Sequence, residues 1–271
     1  MAANDPLGII AGSRNLPLLI AREARKAGVQ KIAVVAFEGE TDPQIESLAD
    51  SVAWLRVGQL RRMVDAFRKQ GVTRCVMVGQ IAPKNLFEVR PDLRAMMMLF
   101  RLKEKNAHTI FGAIADELAK EGITLIEATP WLGPNMPAAG FHAGPSLSSE
   151  QREDVEFGTR IAKEISRLEI GQTVVVKNGV VLAVEGFEGT DACLARGGEL
   201  AGSKRGAVAV KVAKQDHDMR FDIPCIGLKT IEVCRNSGID VLAFEAGKTI
   251  ILERDEIEAA VKKNRLALLC V

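Results

Sequence analysis

The opening of the chain constrains the fold most strongly. Residues 7–11 (LGIIA) form an apolar run, Gly12-Ser13 turn the chain, an amphipathic segment follows as far as Gly28, and residues 31–37 return to an apolar, β-branched run. Pro17 stands where a first helical turn tolerates proline, and Gly28 stands where a helix stops, so the segment between reads as a helix. Strand, helix and strand, with both strands apolar throughout, predict parallel neighbours in a sheet covered on both faces. A turn of this kind leaves backbone N–H groups pointing outward at a helix start, where they hold phosphate. Gly12 and Ser13 are therefore candidate substrate-binding residues. The spacing is Gly8-x-x-x-Gly12-Ser13, so the GxGxxG fingerprint of dinucleotide folds is incomplete. Glu38, at the end of the second strand, could accept from a ribose hydroxyl. The competing reading is that Gly12 only turns the chain and Glu38 is solvated.

The alternation continues. Asp42-Pro43 opens a short helix, residues 50–57 read as a strand, 59–70 as a helix stopped by Gly71, and 74–78 as a strand that ends at Gly79-Gln80. Strand ends line the ligand crevice of open parallel sheets, which makes Gln80, with Lys84 and Asn85 beyond it, candidate ligand contacts. Residues 91–103 should be helical, and AMMMLF (95–100) is apolar all round. Such a run is either buried core or, with Met97 at its centre, an adaptable surface for a flexible apolar ligand. His108 begins a helix that stops near Gly122, and residues 124–127 close the half as a strand. Residues 1–130 thus read as a Rossmann-like parallel-sheet domain. Proline, glycine and serine crowd residues 131–148, the expected linker.

Residues 149–271 read as a mixed α/β domain. Ser148 and Gln151 have the spacing of a capping box for a helix reaching about residue 169, and Asn178-Gly179 between apolar alternations marks a hairpin. In EGFEGTD (185–191), Gly189 and Thr190 suit an anion at a helix start, and Asp191 suits a cation bridging to it. An ordinary hairpin-to-helix connection is the other reading. Helices at 230–237 and 255–264 and strands at 240–245, 248–252 and 266–271 complete the chain.

The densest chemistry lies in AVAVKVAKQDHDMRFDIPCIG (207–227). If residues 214–223 stay extended, Asp216, Asp218, Arg220 and Asp222 share one face, with Met219, Phe221 and Ile223 on the other. Carboxylates about 6.6 Å apart at i and i+2 can bracket a divalent ion, and Arg220 suits a phosphate. Lys177, Lys211 and Lys214 are candidate phosphate counter-charges. A solvated edge strand is the alternative.

Net charge is +1, from 36 basic and 35 acidic residues, so no global field recruits nucleic acid or anionic membrane. With 4% aromatic residues and no tyrosine, base stacking on single strands is also disfavoured. Five cysteines without CxxC spacing point to reduced thiols in a cytoplasmic protein. No apolar run approaches the length of a membrane span.

Four segments together resemble the UDP-2,3-diacylglucosamine pyrophosphatases of the LpxI type. They are Ala11-Gly12 with Leu16-Pro17, Lys84-Asn85-Leu86-Phe87, Val184-Glu185-Gly186 with Glu188-Gly189-Thr190-Asp191-Ala192, and Lys214-x-x-x-Asp218-x-Arg220-x-Asp222-x-Pro224-x-Ile226-Gly227. The similarity runs over nearly the whole chain. It implies hydrolysis of UDP-2,3-diacylglucosamine to 2,3-diacylglucosamine 1-phosphate and UMP in lipid A biosynthesis, with magnesium as cofactor and manganese or cobalt as substitutes. It further implies a homodimer that encloses the lipid between its two domains; a location in the cytoplasm or peripherally at the inner membrane, with transient contact to membrane lipid, is expected with it, and the near-neutral surface and acidic strand face speak against nucleic acid. On this resemblance Asp222 is catalytic; the reading of the residues themselves places Asp218 and Arg220 beside it and has Asp222, with Asp218 or Asp191, hold the metal. The chain departs from the family pattern at Lys105-Asn106-Ala107-His108 and at Lys214-Gln215-Asp216-His217-Asp218. Two alternatives remain on the residues alone, a nicotinamide-dependent oxidoreductase using Gly12 and Glu38, and a non-catalytic nucleotide-sensing protein.

Overall fold

The computed structural model describes residues 5–81, 91–104, 107–203, 205–213, 218–220 and 223–271. The chain divides into two compact units, one of Met1–Leu132 with Asp218–Asp222, the other of Gly133–His217 with Ile223–Val271.

In the first unit, β1 (Leu7–Ala11), β2 (Ile32–Phe37), β3 (Ser51–Leu55), β4 (Arg74–Val78) and β5 (Thr124–Leu125) form a parallel sheet in the order β3-β2-β1-β4-β5. β1 is central and buried along its whole length, as expected for a strand covered on both faces. Its helix α1 (Leu16–Lys26) carries Pro17 in its first turn. The next helix, α2 (Leu60–Lys69), buries Leu60, Met63, Val64 and Phe67, the i, i+3, i+4, i+7 stripe of an amphipathic helix. Gly8 exists for this packing, since a Cβ there would lie 2.8 Å from both Cys75 Cβ and Val72 Cγ1. α3 (Leu93–Arg101), capped by the Asp92 carboxylate accepting from Ala95 N at 2.9 Å, and α4 (Ala107–Ala119) complete the unit.

The second unit is built on a six-stranded sheet in the order β6-β13-β11-β9-β7-β8. β9 (Ala207–Lys211), β11 (Ile239–Phe244) and β13 (Ala267–Cys270) are parallel. β7 (Thr173–Lys177), β8 (Val180–Val184) and β6 (His142–Ala143) run antiparallel to their neighbours. β10 (Cys225–Ile226) and β12 (Ile250–Ile251) form a separate parallel pair. Helix α5 (Ser149–Arg167), with its Ser148–Gln151 capping box formed, covers one face of the main sheet. α6 (Thr190–Leu200), α7 (Leu228–Asn236) and α8 (Arg254–Asn264) cover the other. The side-chain period of two decides which residues go where. In β9, Val208 and Val210 enter the α5 core while Ala207 and Ala209 enter the α6–α8 core. Lys211, next in the latter series, is directed to the α6 side.

The Asn178-Gly179 hairpin has φ of 51° and 73° at its two turn residues, as its turn type requires. Asp154 of α5, 3% exposed, clamps it by accepting from Asn178 N at 2.8 Å and Gly179 N at 2.7 Å. All five cysteines are free thiols. Burial pushes Cys75, Cys193 and Cys234 up to about 12 and Cys270 up to about 11, so they stay protonated and inert at neutral pH. Among the described residues, no helix is long and apolar enough to cross a membrane.

Candidate functional site

In the first unit the strand order reverses between β1 and β4, and ligands bind beyond the carboxyl ends of strands at such a switch point. The loops leaving those two ends run against each other. Ser13 N and Ser13 Oγ both donate to Gln80 O at 2.7 Å, and Gly12 N donates to Val78 O at 2.8 Å. A Cβ on Gly12 would come within 2.6 Å of Gln80 O, and one on Gly79 (φ 93°) within 2.7 Å of Ser13 O. Gly12 and Gly79 thus let the two loops pack against each other, and the Ser13 donors are engaged there.

The group that turns outward is Arg14, exposed and at φ 69°. It lines an open cleft of about 540 Å³ with Glu40, Thr41, Asp42 and Trp54. Thr41 is 6% exposed, accepts from Phe37 N at 2.9 Å and donates to Ala11 O, which fixes the floor of the cleft. Trp54 Nε1 donates to Glu46 at 2.6 Å, which fixes the indole. A cation and an indole lining one open cleft are groups that suit a nucleotide. Sequence reasoning passed over these residues because nothing local joins Arg14 to Trp54. Glu38 is exposed at the end of β2.

Helix α3 differs from the buried-core reading of residues 95–100. Only Ala95 and Met98 are buried, whereas Leu93 (69% exposed), Met96 (40%), Met97 (50%) and Phe100 (80%) form an exposed apolar stripe.

Residues 219–220 are a turn, not the extended strand expected of this stretch. Asp218 causes it, its Oδ1 accepting from Arg220 N at 3.0 Å, which is a local alternative to a strand ladder. The same carboxylate grips the guanidinium, with Nε at 2.9 Å and Nη2 at 2.6 Å. That bond, helped by the charges of Asp218, Asp116 and Glu127, holds the Arg220 proton more tightly than usual against the opposing effect of burial. The alternating acidic face is therefore absent at 218–220. Asp222, Lys214, Lys84 and Asn85 lie outside the described residues.

In the second unit, β8 leads through Glu185 to Gly189, whose φ is 83°, and Thr190 starts α6. Thr190 Oγ1 donates to Glu185 Oε1 at 3.0 Å, lies 3.4 Å from Thr173 Oγ1 and accepts from Lys211 Nζ at 3.3 Å. The antiparallel pairing of Thr173 with Lys211 brings these groups together. Glu185 (6% exposed), Lys211 (8%) and Thr173 (0%) are buried polar groups in an apolar sheet. Glu185 and Thr173 had no sequence signal of this role, because it depends on strand pairing. Asp191 is ion-paired to Lys229 at 2.9 Å. Lys177 Nζ donates to Ala201 O at 2.8 Å. Glu188 is held by Arg196 at 2.6 Å, and this bond, with Gly186 N, keeps its carboxyl below the ordinary range.

Among the described residues no three histidine, cysteine or acidic side chains lie together as a metal site. Magnesium needs only one or two carboxylates when phosphate oxygens fill the rest of its shell, so the chemistry of the donor set fits that ion. Two of the three carboxylates proposed for it, Asp218 and Asp191, are already held by cations.

The LpxI N-terminal domain matches residues 6–134 and the LpxI C-terminal domain matches residues 138–269. UDP-2,3-diacylglucosamine pyrophosphatase LpxI of Caulobacter vibrioides is 30% identical over 274 residues, covering 98% of this chain and 97% of that protein. Solved structures are far more distant. The biotin carboxylase domain of a thermophilic 2-oxoglutarate carboxylase is 16% identical over 68% of this chain and 36% of that one, with a TM-score of 0.27. N5-carboxyaminoimidazole synthetase from Staphylococcus aureus is 14% identical over 82% of this chain and 59% of that one, also at 0.27. Neither likeness carries an argument. The match to the Caulobacter protein from end to end, with both domains in order, makes this chain a member of the LpxI family.

Proposed function

We propose that this protein hydrolyses the pyrophosphate bond of UDP-2,3-diacylglucosamine to 2,3-diacylglucosamine 1-phosphate and UMP, a step of lipid A biosynthesis. The end-to-end relationship to a pyrophosphatase of that substrate carries the proposal. Water adds to one phosphorus, the bridging oxygen leaves with the other, and the water proton passes to a nearby base. Such a reaction needs cationic groups on the non-bridging oxygens and a positioned nucleophile.

The residues fall into three roles. Arg14, Trp54 and the Ser13–Gln80 loop pair, with Lys84 nearby in sequence, would hold the nucleotide. Gly189, Thr190, Arg220 and Lys214 would face phosphate oxygens. Asp222, with Asp218 or Asp191, would hold magnesium, which supplies charge neutralisation and a more acidic water. For Asp218 or Asp191 to serve, Arg220 or Lys229 must turn toward phosphate, an exchange that the substrate's own charge favours. The exposed stripe of α3 around Met97 suits the acyl chains. A cytoplasmic homodimer in transient, peripheral contact with inner-membrane lipid belongs to the same proposal.

The test is UMP release from UDP-2,3-diacylglucosamine with magnesium and after EDTA. Release is expected with the ion, and EDTA should remove it reversibly. No release by the wild type across several acyl lengths with magnesium, manganese or cobalt would sink the proposal and leave nucleotide sensing. A second expectation concerns α3. Met97→Glu places a charge in the stripe and should weaken binding of the diacyl product at least about tenfold, since losing two or three buried methylenes costs roughly 2 kcal/mol. UMP affinity should not change, and an unchanged lipid affinity would exclude Met97 from the acyl site.

A further inference from the structure

Helix α3 turns only Ala95 and Met98 fully into the core, with Leu99 partly buried beside them. Leu93, Met96, Met97 and Phe100 stand on the solvent side. Removing apolar surface from water is favourable, so burial alone holds α3 weakly and favours rolling the stripe inward. Polar contacts oppose that roll.

The first lies at the helix start. Asp92 Oδ1 accepts from Ala95 N at 2.9 Å and Oδ2 accepts from Arg61 N at 2.7 Å, which ties the first turn of α3 to that of α2. A contact at the end of the axis fixes where the helix begins, not how it is rolled. The second lies on the flank. Arg94 Nε donates to Glu117 Oε2 at 2.8 Å, Nη1 donates to Glu121 Oε1 at 2.9 Å and Nη2 donates to the Glu117 carbonyl O at 3.1 Å. The whole fork of the guanidinium is thus spent on the end of α4 and the turn beyond it, a rigid planar contact that a point charge could not make. At 3.6 residues per turn Arg94 lies roughly 110° round the axis from the middle of the stripe, where a lateral tie resists rotation most.

The tie is anchored at its far side. Glu117 is 8% exposed, and bonds from Lys120 and Arg94 keep its carboxyl below the ordinary range against the effect of burial. Arg68 of α2 donates to the other oxygen of Glu121 at 3.1 Å. Breaking a mostly enclosed pair strands a charge, so the contact is stiffer than a surface ion pair.

We propose that Arg94 is a positioning residue for the acyl chains: its fork on Glu117 and Glu121 fixes the roll of α3, so that Leu93, Met96, Met97 and Phe100 stay presented to a diacyl lipid instead of turning into the core. This rests on the acyl reading of α3 and involves none of the phosphate chemistry.

The experiment compares the full-length wild type with Arg94→Leu, Arg94→Leu/Glu117→Leu and Met97→Glu. The double variant removes both partners and so leaves no buried carboxylate without its arginine; circular dichroism verifies folding. Limited peroxide oxidation with peptide mass mapping reads the roll, because exposed methionines oxidise first. In the wild type Met96 and Met97 should oxidise well before Met98, and in the Arg94 variants Met97 should slow and Met98 quicken, each at least about threefold. Calorimetric titration should show 2,3-diacylglucosamine 1-phosphate bound at least about tenfold more weakly by those variants, with UMP affinity within twofold of wild type. The inference is overturned if the folded variants keep the wild-type order of oxidation or the wild-type lipid affinity. It is equally overturned if neither Arg94 variant folds, which would make Arg94 a residue of stability alone. Loss of lipid binding in Met97→Glu with full binding in the Arg94 variants would sink this inference alone, whereas full binding in Met97→Glu would sink the acyl reading beneath it.

Discussion

Gly198→Ala is expected to destabilise the second unit by about 3 kcal/mol or more, toward the upper end of small-to-large substitutions in packed interiors. A Cβ on Gly198 would stand 1.9 Å from Ser237 O and 2.5 Å from Ser237 Cβ. The obstruction is the main chain where α7 ends, so no rotamer change relieves it, and α6 must move away from α7. Adjacent Gly197 is constrained too, since a Cβ there would lie 2.5 Å from the Cβ of the buried Val175. Helix propensity alone predicts the opposite sign, because alanine is better than glycine within a helix by about 1 kcal/mol. The sign of the change therefore decides between the two effects. Trp54 and Trp131 both belong to the first unit, so their fluorescence is the wrong probe. Hydrogen exchange on peptides covering residues 190–200, with urea unfolding followed by circular dichroism, reads the right transition. An unchanged or raised midpoint would mean that α6 shifts freely, and the placement of Thr190 beside Lys211 would lose its structural basis.

What could be read from the sequence divides along the range of the interactions. Pro17 and Gly28 bracket α1, Ser148 and Gln151 cap α5, and Asn178-Gly179 turns the β7–β8 hairpin. Each is a contact between near neighbours, so each was legible. Gly12 shows where legibility stops. The local sequence offers it a turn or outward N–H groups for a phosphate, but says nothing of the room it makes for Gln80, 68 residues away, on the loop after another strand. The same holds at Met97. Periodicity cannot orient a run that is apolar all round, and the actual face is set by Ala95 and Met98 entering the core of α2 and α4. At 218–220 the alternation of charge suggested extension, but an aspartate two residues before an arginine can close a turn on its own backbone. Lys211 ends an alternating strand, and its burial follows from helices covering a sheet assembled from strands far apart in sequence.

Asp222→Ala is expected to lower the turnover of UMP release by about a thousandfold or more, with KM changed only a few-fold, the pattern of a group acting in the transition state. The argument starts from its neighbours. Asp218 spends both carboxylate oxygens on Arg220, and Asp191 is held by Lys229, so two of the three carboxylates proposed for magnesium must first exchange a cation, and the proposal rests most heavily on Asp222. Asp222→Asn keeps the shape and removes the charge, and should be nearly as slow, because a neutral amide neither holds the ion nor makes a bound water more acidic. Asp218→Ala should behave differently. It frees the Arg220 guanidinium, so binding of the phosphate should hold or tighten while turnover falls by about tenfold, as the turn at 218–220 loses its clamp. Steady-state rates at saturating magnesium, with circular dichroism to verify folding, separate the two aspartates. If Asp222→Ala keeps turnover within tenfold of wild type while Asp218→Ala abolishes it, the ion and its water belong with Asp218, and Arg220 must leave that carboxylate whenever substrate binds.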